Sequence, residues 1–318
     1  MKCASFFTGV GGIDIGFEKA GFDTIFANEL DSFAAQTIRA NFDFQLENSD
    51  INGLKPKEIP DFDIMLAGFP CQAFSIAGRR QGFNDDKGRG NLFFKLEEIF
   101  KVKKPQVILL ENVKNLLTHD NGNTLKVILE KLKAQKYHVK FQVLNASTHG
   151  NIPQNRERIY IVCFKDAKAC DRFTFPSAIP LTKTIADMLV PEETIPERFY
   201  YTEKSAMHAA LVNEIKDAKT IYQWRRKYVR ANKSNLCPTL TANMGTGGHN
   251  VPLVNVQGKA NTIRKLTPRE CFNFQGFPAD FIFPENVSVS NLYKQAGNSV
   301  VVPVIERIAL EIKKALQV

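Results

Sequence analysis

Short apolar runs alternate with segments of helical period along about the first 165 residues of the chain. The apolar runs predict strands over Lys2–Phe7, Thr24–Ala27, Phe62–Ala67, Val107–Leu110, Val139–Leu144 and Ile159–Phe164. Apolar residues three and four positions apart predict helices over Ile13–Lys19, Ser32–Asn41, Leu92–Lys101 and Leu125–Ala134. Strands that alternate with helices in this way predict an α/β fold with a doubly wound sheet.

The pattern changes near residue 172, where prolines interrupt a stretch without sustained period. Residues 185–265 hold only short mixed segments, which predict a second, smaller domain that is β-poor or irregular. Helical period returns over Val301–Gln317, with apolar residues four positions apart. We therefore expect one domain over residues 1–180, a second over 181–290, and a C-terminal segment, 291–318, that returns to the first.

The charge balance is basic, with 42 Lys and Arg against 33 Asp and Glu, a net charge of +9. Such an excess suits a protein that contacts phosphates, although many basic proteins bind no nucleic acid. The six cysteines are scattered, with neither a C-x-x-C pair nor zinc spacing, and no apolar run approaches the length of a membrane span. We expect a reduced, cytoplasmic protein without a structural metal or a membrane segment.

One cysteine follows a predicted strand directly. The run before Gly68 is apolar, and Gly68 and Pro70 end it, so Cys71 falls on the loop at the carboxyl end of a strand. Ligands bind at that edge of open α/β sheets, and a loop there can expose a reactive thiolate. Cys71 is therefore a candidate nucleophile, and a small buried apolar residue is the alternative.

Glycines and acids follow the first three strands. Phe7–Gly12 (FTGVGG) opens the first helix, where glycines let a ligand approach backbone N–H groups, but it lacks the dinucleotide fingerprint G-x-G-x-x-G. Glu29 ends the second strand, and Asp50 precedes Ile51, at positions where an acid can accept from ribose hydroxyls. An adenosine-type ligand without a pyrophosphate is indicated, and tight turns with solvated acids are the alternative.

Two further groups carry candidate chemistry. Glu111 follows the strand Val107–Leu110, so we expect it at the same sheet edge as Cys71, one strand over. Arg156 and Arg158 precede the last strand, and side chains two residues apart in extended chain point the same way. Glu111 is a candidate proton donor or hydrogen-bond partner. A solvated acid and a surface ion pair with Glu157 are the alternatives.

Together, these motifs resemble the DNA cytosine-5 methyltransferases, in particular the bacterial restriction-modification enzymes. The resemblance covers nearly the whole chain and keeps the family's motif order. It rests on FTGVGG (7–12), NELD (28–31), Asp50-Ile51, GFPCQAFS (68–75), GRGNLF (88–93), Glu111-Asn112-Val113, QNRER (154–158), TLTA (239–242), Arg269-Glu270, QGFP (275–278) and QAGNSV (295–300).

The resemblance implies a Rossmann-like fold of the S-adenosylmethionine-dependent methyltransferases, with a target-recognition domain over 181–290. It implies methyl transfer from S-adenosylmethionine to C5 of a flipped-out cytosine in a short, specific duplex DNA sequence. The catalytic residues would be Cys71, which attacks C6, Glu111 at N3, Arg158 at O2, and Arg156, which supports the loop. We expect a monomer that protects DNA from a cognate restriction endonuclease without touching it.

By the same resemblance, two sets of residues would bind the ligands. The cofactor set is Phe7, Thr8, Gly9, Val10, Gly12, Glu29, Leu30, Asp50, Ile51, Pro70, Leu92, Asn298, Ser299 and Val300. The DNA set is Gln72, Ser75, Arg79, Arg80, Arg225, Arg226, Lys227, Thr239, Gly245, Gly247 and Gly248. Leu30 departs from relatives that often carry an aromatic side chain against the adenine.

Two other functions stay open. A transfer-RNA cytosine-5 methyltransferase would share the catalytic motifs, although the sizeable variable domain favours duplex DNA. A DNA-binding regulator without catalysis would not require Cys71, Glu111 and both arginines. The incomplete dinucleotide fingerprint disfavours a dehydrogenase.

Overall fold

The computed structural model describes residues 1–70, 92–225, 227–232, 234–246, 250–256 and 262–317. Its strands are β1 Lys2–Phe6, β2 Asp23–Asn28, β3 Gln45–Glu47, β4 Ile64–Gly68, β5 Val107–Val113, β6 His138–Asn145, β7 Glu157–Phe164, β8 Tyr222–Trp224, β9 Val229–Ala231, β10 Leu253–Asn255 and β11 Ile263–Lys265. Its helices are α1 Gly12–Lys19, α2 Ser32–Arg39, α3 Leu92–Lys103, α4 Asn123–Ala134, α5 Ala146–His149, α6 Ala167–Arg172, α7 His208–Glu214, α8 Pro268–Asn273, α9 Val289–Asn298 and α10 Val302–Leu316.

The chain folds into two compact units. The first comprises residues 1–144, 157–177 and 304–318, and the second comprises 145–156 and 178–303. The second unit thus includes the short segment 145–156, from the end of β6 to the start of β7, and the stretch 291–303, which reaches the first two residues of α10.

A seven-stranded sheet forms the centre of the first unit, in the order β3-β2-β1-β4-β5-β7-β6. β1, β2, β3, β4 and β5 pair in parallel, and β7 pairs antiparallel to β5. The predicted doubly wound sheet is confirmed, and its strand order reverses between β1 and β4. The carboxyl ends at this reversal are where open α/β sheets bind their ligands.

The sheet is stabilised by burial on both faces. In β4 and β5, Met65 and Ile108 on one face and Leu66 and Leu109 on the other have no exposed surface, which explains why these strands read as continuous apolar runs. Each such side chain contributes roughly 1.5–3 kcal/mol by leaving water. The hydrophobic effect therefore fixes the strands on which the functional residues lie.

The second unit contains a four-stranded antiparallel sheet in the order β11-β10-β8-β9. A small core of Leu211, Ile215, Tyr222, Leu253 and Ile263 packs with it. The sequence pattern predicted a β-poor or irregular domain here, and that expectation misses the sheet. Each strand has only three residues, which is too short for an alternating pattern to show.

None of the helices in the described ranges is both long enough and apolar enough to span a membrane.

Candidate active site and cofactor site

Glu111 and Arg158 face each other at the carboxyl edge of β4 and β5. Gly68, the last residue of β4, is in register with Glu111, as the sequence predicted for neighbouring strands. The Arg158 Nε lies 3.1 Å from Glu111 Oε1, and only 14% and 11% of the two side chains are exposed. Arg158 also donates to the Glu157 carbonyl at 2.8 Å. The short contact between two mostly buried, oppositely charged groups fixes how the two side chains face each other.

Asn112 holds the chain that leads to Cys71. Its Nδ2 donates to the Phe69 carbonyl at 2.8 Å, and its Oδ1 accepts from the Val113 amide at 2.8 Å. Phe69 is itself buried against the ring of Phe93. The backbone two residues before Cys71 is therefore fixed to the strand that carries Glu111. Sequence reasoning gave Asn112 no role, although its place directly after Glu111 was the available signal.

Cys71 itself, with Gln72, Ser75, Arg79 and Arg80, lies outside the described residues, as do Arg226, Gly247 and Gly248. The five described cysteines are buried and form no disulfide.

Arg156 binds different partners from Arg158. It is 2% exposed, and its guanidinium donates to the Leu240 carbonyl at 2.7 Å, to the Gly297 carbonyl at 3.2 Å and to the Ser299 carbonyl. The expectation that the two arginines point the same way is therefore not met. Arg156 positions backbone, whereas Arg158 meets the Glu111 carboxylate.

Gln154 completes this buried cluster in the second unit. Its Nε2 donates to the Phe274 carbonyl at 2.6 Å, and its Oε1 accepts from the Leu240 amide at 3.1 Å. Both amide ends of a fully buried side chain are thus satisfied. Sequence reasoning did not single out Gln154, because its partners lie 86 and 120 residues away.

The glycine turn after β1 forms a cradle. Gly9 has φ +62° with open space where a Cβ would project, and Gly11 has φ +81° with the Phe42 ring in that place. Glu29 accepts from the Gly9 amide at 2.7 Å and from the Asp31 amide at 2.8 Å. Burial raises the pKa of Glu29, and these backbone hydrogen bonds oppose that shift. The carboxylate ties the end of β2 to the turn.

Three features of the cradle fit the adenosine part of S-adenosylmethionine. The Thr8 Oγ1 is buried and has no hydrogen-bond partner among the described residues, so a ligand can supply one. Leu30 is 67% exposed beside the Glu29 carboxylate, so its side chain can lie against an apolar ring. Because a carboxylate has about four acceptor positions, Glu29 keeps capacity for a ribose hydroxyl.

The other predicted cofactor residues divide between the two units. In the first unit, Asp50 is exposed and caps a turn through the Asn52 amide at 2.9 Å. Buried or partly buried residues there are Val10, Gly12, Ile51 and Leu92, whereas Pro70 is exposed. Asn298, Ser299 and Val300 belong to the second unit, at the end of α9.

The described members of the predicted DNA set lie in the second unit. Arg225 and Lys227 are exposed in the turn between β8 and β9. Thr239 donates its hydroxyl to the Asn155 carbonyl at 2.6 Å. A Cβ at Gly245 would lie 2.5 Å from the Ser290 carbonyl oxygen of α9, so close packing against that helix accounts for glycine at this position.

Asp14, in the first turn of α1, is a buried acid that the sequence did not single out. Its carboxylate accepts from the Ser5 hydroxyl at 3.1 Å and from the Thr24 hydroxyl at 3.0 Å. Burial raises its pKa from 3.8 to about 6, although these hydrogen bonds oppose the shift. The folded protein thus holds this proton to a higher pH than the unfolded chain does.

Asp14 is expected to make the protein less stable as the pH rises. Because the pKa of Asp14 is higher in the folded protein than in the unfolded chain, protonation of Asp14 stabilises the fold. This stabilisation is complete below pH 3.8 and is lost as the pH rises through about 6. The loss amounts to about 3 kcal/mol by pH 7. Urea unfolding of the wild type and of Asp14→Asn should show it, with the variant gaining relative stability between pH 4 and 7. The exposed Asp23→Asn is the control, and a pH-independent difference for Asp14→Asn would contradict the assignment.

The reversed strand order, the β7 strand antiparallel to β5 and the cradle after β1 place the first unit in the Rossmann-like class. The C-5 cytosine-specific DNA methylase family model matches residues 1–314. The Type II methyltransferase M.Bsp6I of Bacillus sp. (strain RFL6) is 58% identical over 318 residues, 99% of each protein. M.HhaI of Haemophilus parahaemolyticus is 38% identical, over 99% of this chain and 95% of that protein. The crystal structure of the S. pombe Dnmt2 methyltransferase superposes with a TM-score of 0.78 at 18% identity, covering 100% of both chains.

The chain belongs to the C-5 cytosine-specific DNA methylase family. It is a DNA cytosine-5 methyltransferase of the kind found in bacterial restriction-modification systems.

Proposed function

We propose that this enzyme methylates C5 of a flipped-out cytosine within one short sequence of duplex DNA, through a covalent bond between Cys71 and C6. The observation that carries the proposal is the Glu111–Arg158 pair at the edge where β4 ends, three residues before Cys71. A partner restriction endonuclease would cut the same sequence when it is unmethylated.

C5 of cytosine is a poor nucleophile, so the ring must be activated first. Attack of the Cys71 thiolate on C6 shifts electron density to C5 and towards N3. Glu111 donates or shares a proton at N3, and Arg158 donates to O2, so the developing charge is stabilised. Bound S-adenosylmethionine supplies the methyl group. Loss of the C5 proton to water or another base then lets Cys71 leave, which restores the free thiolate.

The remaining residues hold the two ligands. Thr8, Gly9, Glu29 and Leu30 contact the adenosine of the cofactor. Arg156 does not touch the base in this mechanism: it fixes the backbone of Leu240, in the target-recognition domain, and of Ser299. This assigns the two arginines of QNRER distinct tasks, one in positioning and one in binding the base.

A Glu111→Gln variant is expected to lower kcat by about 10²–10⁴-fold, since the amide cannot transfer a proton to N3. Single-turnover methyl transfer measures the chemical step directly. Glu157→Gln is the matched control, because Glu157 lies in the same region and pairs with Lys114 at 2.9 Å. A kcat within a factor of three of the wild type for Glu111→Gln would remove Glu111 from the reaction, by an order-of-magnitude comparison.

The proposed function is tested by mapping 5-methylcytosine in DNA from cells that express the protein. Methylation confined to one short sequence is the expected result. Unmethylated DNA together with methylated RNA would favour a transfer-RNA methyltransferase. If neither DNA nor RNA is methylated but the protein still binds DNA, a regulator without catalysis would be favoured.

A further inference from the structure

The positive charge of the chain is concentrated in the second half of the first unit. Residues 101–144 and 157–177 contain 13 Lys and Arg but only 6 Asp and Glu. Several of these lysines lie on the segments that flank the first residue of β5 and the last residue of β7. That edge of the sheet is opposite the edge that carries Glu111.

Three lysines meet at this opposite edge. Lys104 follows α3, Lys136 follows α4, and Lys165 follows β7. Burial lowers the pKa of Lys165, and the positive charges of Lys104 and Lys136 lower it further. We call Lys104, Lys136 and Lys165, with the neighbouring Lys133, the lysine cluster.

A rigid scaffold supports the cluster. The Lys165 amide donates to the Gln106 carbonyl at 2.9 Å, and its Nζ donates to the Gln135 carbonyl at 2.6 Å. The same Nζ lies 3.9 Å from the centre of the Tyr137 ring. Tyr137 in turn donates its hydroxyl to the Pro105 carbonyl at 2.8 Å. The three segments that carry the lysines are therefore joined to one another.

The lysines of the cluster form no ion pair with an acid in the described part of the chain, although the exposed Asp171 lies near them. No carboxylate in the described part of the chain lies within 4.0 Å of a side-chain nitrogen of Lys104, Lys133, Lys136 or Lys165. The nearby acids are partly committed elsewhere: Asp61 pairs with Lys103 at 2.8 Å, and Asp166 lies 4.0 Å from Arg172. A surface depression of about 490 Å³ adjoins the cluster, lined by Lys133, Lys136, Tyr137, His138, Val139, Lys140, Cys170 and Asp171.

Helix dipoles account for part of this charge but not for all of it. Lysines in the last turn of a helix stabilise its C-terminus, which explains Lys101 and Lys103 in α3 and Lys131 and Lys133 in α4. Lys104 and Lys136 lie beyond these helices, with positive φ of 51° and 62°. Lys165 follows a strand. Its Nζ does meet a helix end, because it donates to the carbonyl of Gln135, the C-cap of α4. Lys104 and Lys136 are exposed beyond the last turns of their helices, and the repulsion between them and Lys165 calls for an external anion.

We propose that the lysine cluster binds the phosphate backbone of a second duplex DNA segment, distinct from the segment that carries the target cytosine. The cluster consists of flexible ammonium groups spread over three chain segments. Such groups suit the evenly spaced phosphates of a nucleic acid backbone, which they bind without sequence specificity. A small phosphate ligand is more often bound by arginine side chains or by backbone N–H groups. β5 has seven residues, so about 20 Å separate the two edges at 3.3 Å per residue. A straight duplex engaged at the Glu111 edge does not reach the cluster. This site goes beyond the proposed function, because its occupancy does not depend on methyl transfer.

The test counts how many short duplexes one protein chain binds. Duplexes of about 15 base pairs, or one and a half turns, are titrated at low salt and followed by sedimentation equilibrium. The wild type is expected to bind two duplexes, and the triple variant K104E/K133E/K136E one. The matched control K19E/K57E/K126E changes the net charge equally at exposed lysines elsewhere in the first unit, and it should still bind two.

Three outcomes would overturn the proposal. They are a wild type that binds one duplex, a triple variant that still binds two, and equal losses in both triple variants, which would indicate net charge alone. Stronger competition by duplex RNA than by DNA at the second site would overturn the DNA assignment. Methyl transfer to a short duplex and the midpoint of thermal unfolding check that each variant is folded. If K104E/K133E/K136E is not folded, the neutral variant K104Q/K133Q/K136Q replaces it. Loss of three phosphate contacts should lower the log–log salt slope of the second binding step by about 2.7.

Discussion

A Cys71→Ser variant should transfer methyl groups at less than about 10⁻⁴ of the wild-type rate. The reaction needs a thiolate, and the serine hydroxyl is a far weaker nucleophile at neutral pH. None of the other five cysteines can replace it, because Cys3, Cys163, Cys170, Cys237 and Cys271 are all buried. Burial raises the pKa of each of these thiols, so they stay protonated.

Transfer of a labelled methyl group from S-adenosylmethionine to duplex DNA measures this loss. Cys170→Ser makes the same chemical change on α6 and should keep turnover within a few-fold of the wild type, an order-of-magnitude expectation. Binding of DNA by the Cys71→Ser variant should survive, which separates catalysis from folding. Turnover of Cys71→Ser near the wild-type level would exclude the covalent mechanism.

An Arg264→Met variant is expected to lose about 3–5 kcal/mol of unfolding free energy. Arg264 is fully buried in the second unit between two acids, with Nη1 and Nη2 each 2.9 Å from Glu270 oxygens and Nε 2.9 Å from Glu192 Oε1. Glu270 also has no exposed side-chain surface, and it accepts from the Thr267 amide at 2.7 Å to cap α8. Removing the guanidinium leaves this carboxylate buried without its cation.

Urea unfolding at neutral pH measures the loss as a shift of the midpoint. Arg230→Met, at an exposed position of β9 in the same unit, is the matched control and should change stability by about 0.5 kcal/mol or less. If Arg264→Met lost less than about 1 kcal/mol of unfolding free energy at neutral pH, the ion pairs of Arg264 with Glu192 and Glu270 would not stabilise this unit.

Hydrophobic period predicted most of the first unit, because the central strands β4, β5 and β7 are buried on both faces. The edge that unites Gly68 and Glu111 followed from the same pattern, since both residues end apolar runs of neighbouring parallel strands. The strand β3 and the helix α6 were missed, as three and six residues are too few for a period to show. Asp166 before α6 was the usable signal, because it caps the helix through the Lys168 and Ala169 amides.

The partners of side chains that make contacts far along the chain could not be predicted from the sequence. Arg156 and Arg158 are two residues apart, but the partners of Arg156 lie 84 to 143 residues along the chain. The lysine cluster likewise joins residues 104, 133, 136 and 165. The register of β5 with β7 brings residue 165 near residue 104, and contacts of Lys165 with Gln135 and of Tyr137 with Pro105 bring in the end of α4. Secondary-structure propensity and hydrophobic period reflect local preferences of the chain, so they carry no information about contacts between distant residues.

The hydrogen bonds of Arg156 have a consequence for how new specificities arise. Three of its acceptors among the described residues are the main-chain carbonyls of Leu240, Gly297 and Ser299, and every amino acid provides a carbonyl. The side chains at positions 240 and 299 can therefore be exchanged without removing an acceptor. These hydrogen bonds, which we call the Arg156 anchor, thus tolerate most substitutions at the two positions. A recognition segment grafted from a relative needs to reproduce the path of the backbone at this anchor and not its sequence, which makes the anchor a natural junction for building hybrid enzymes.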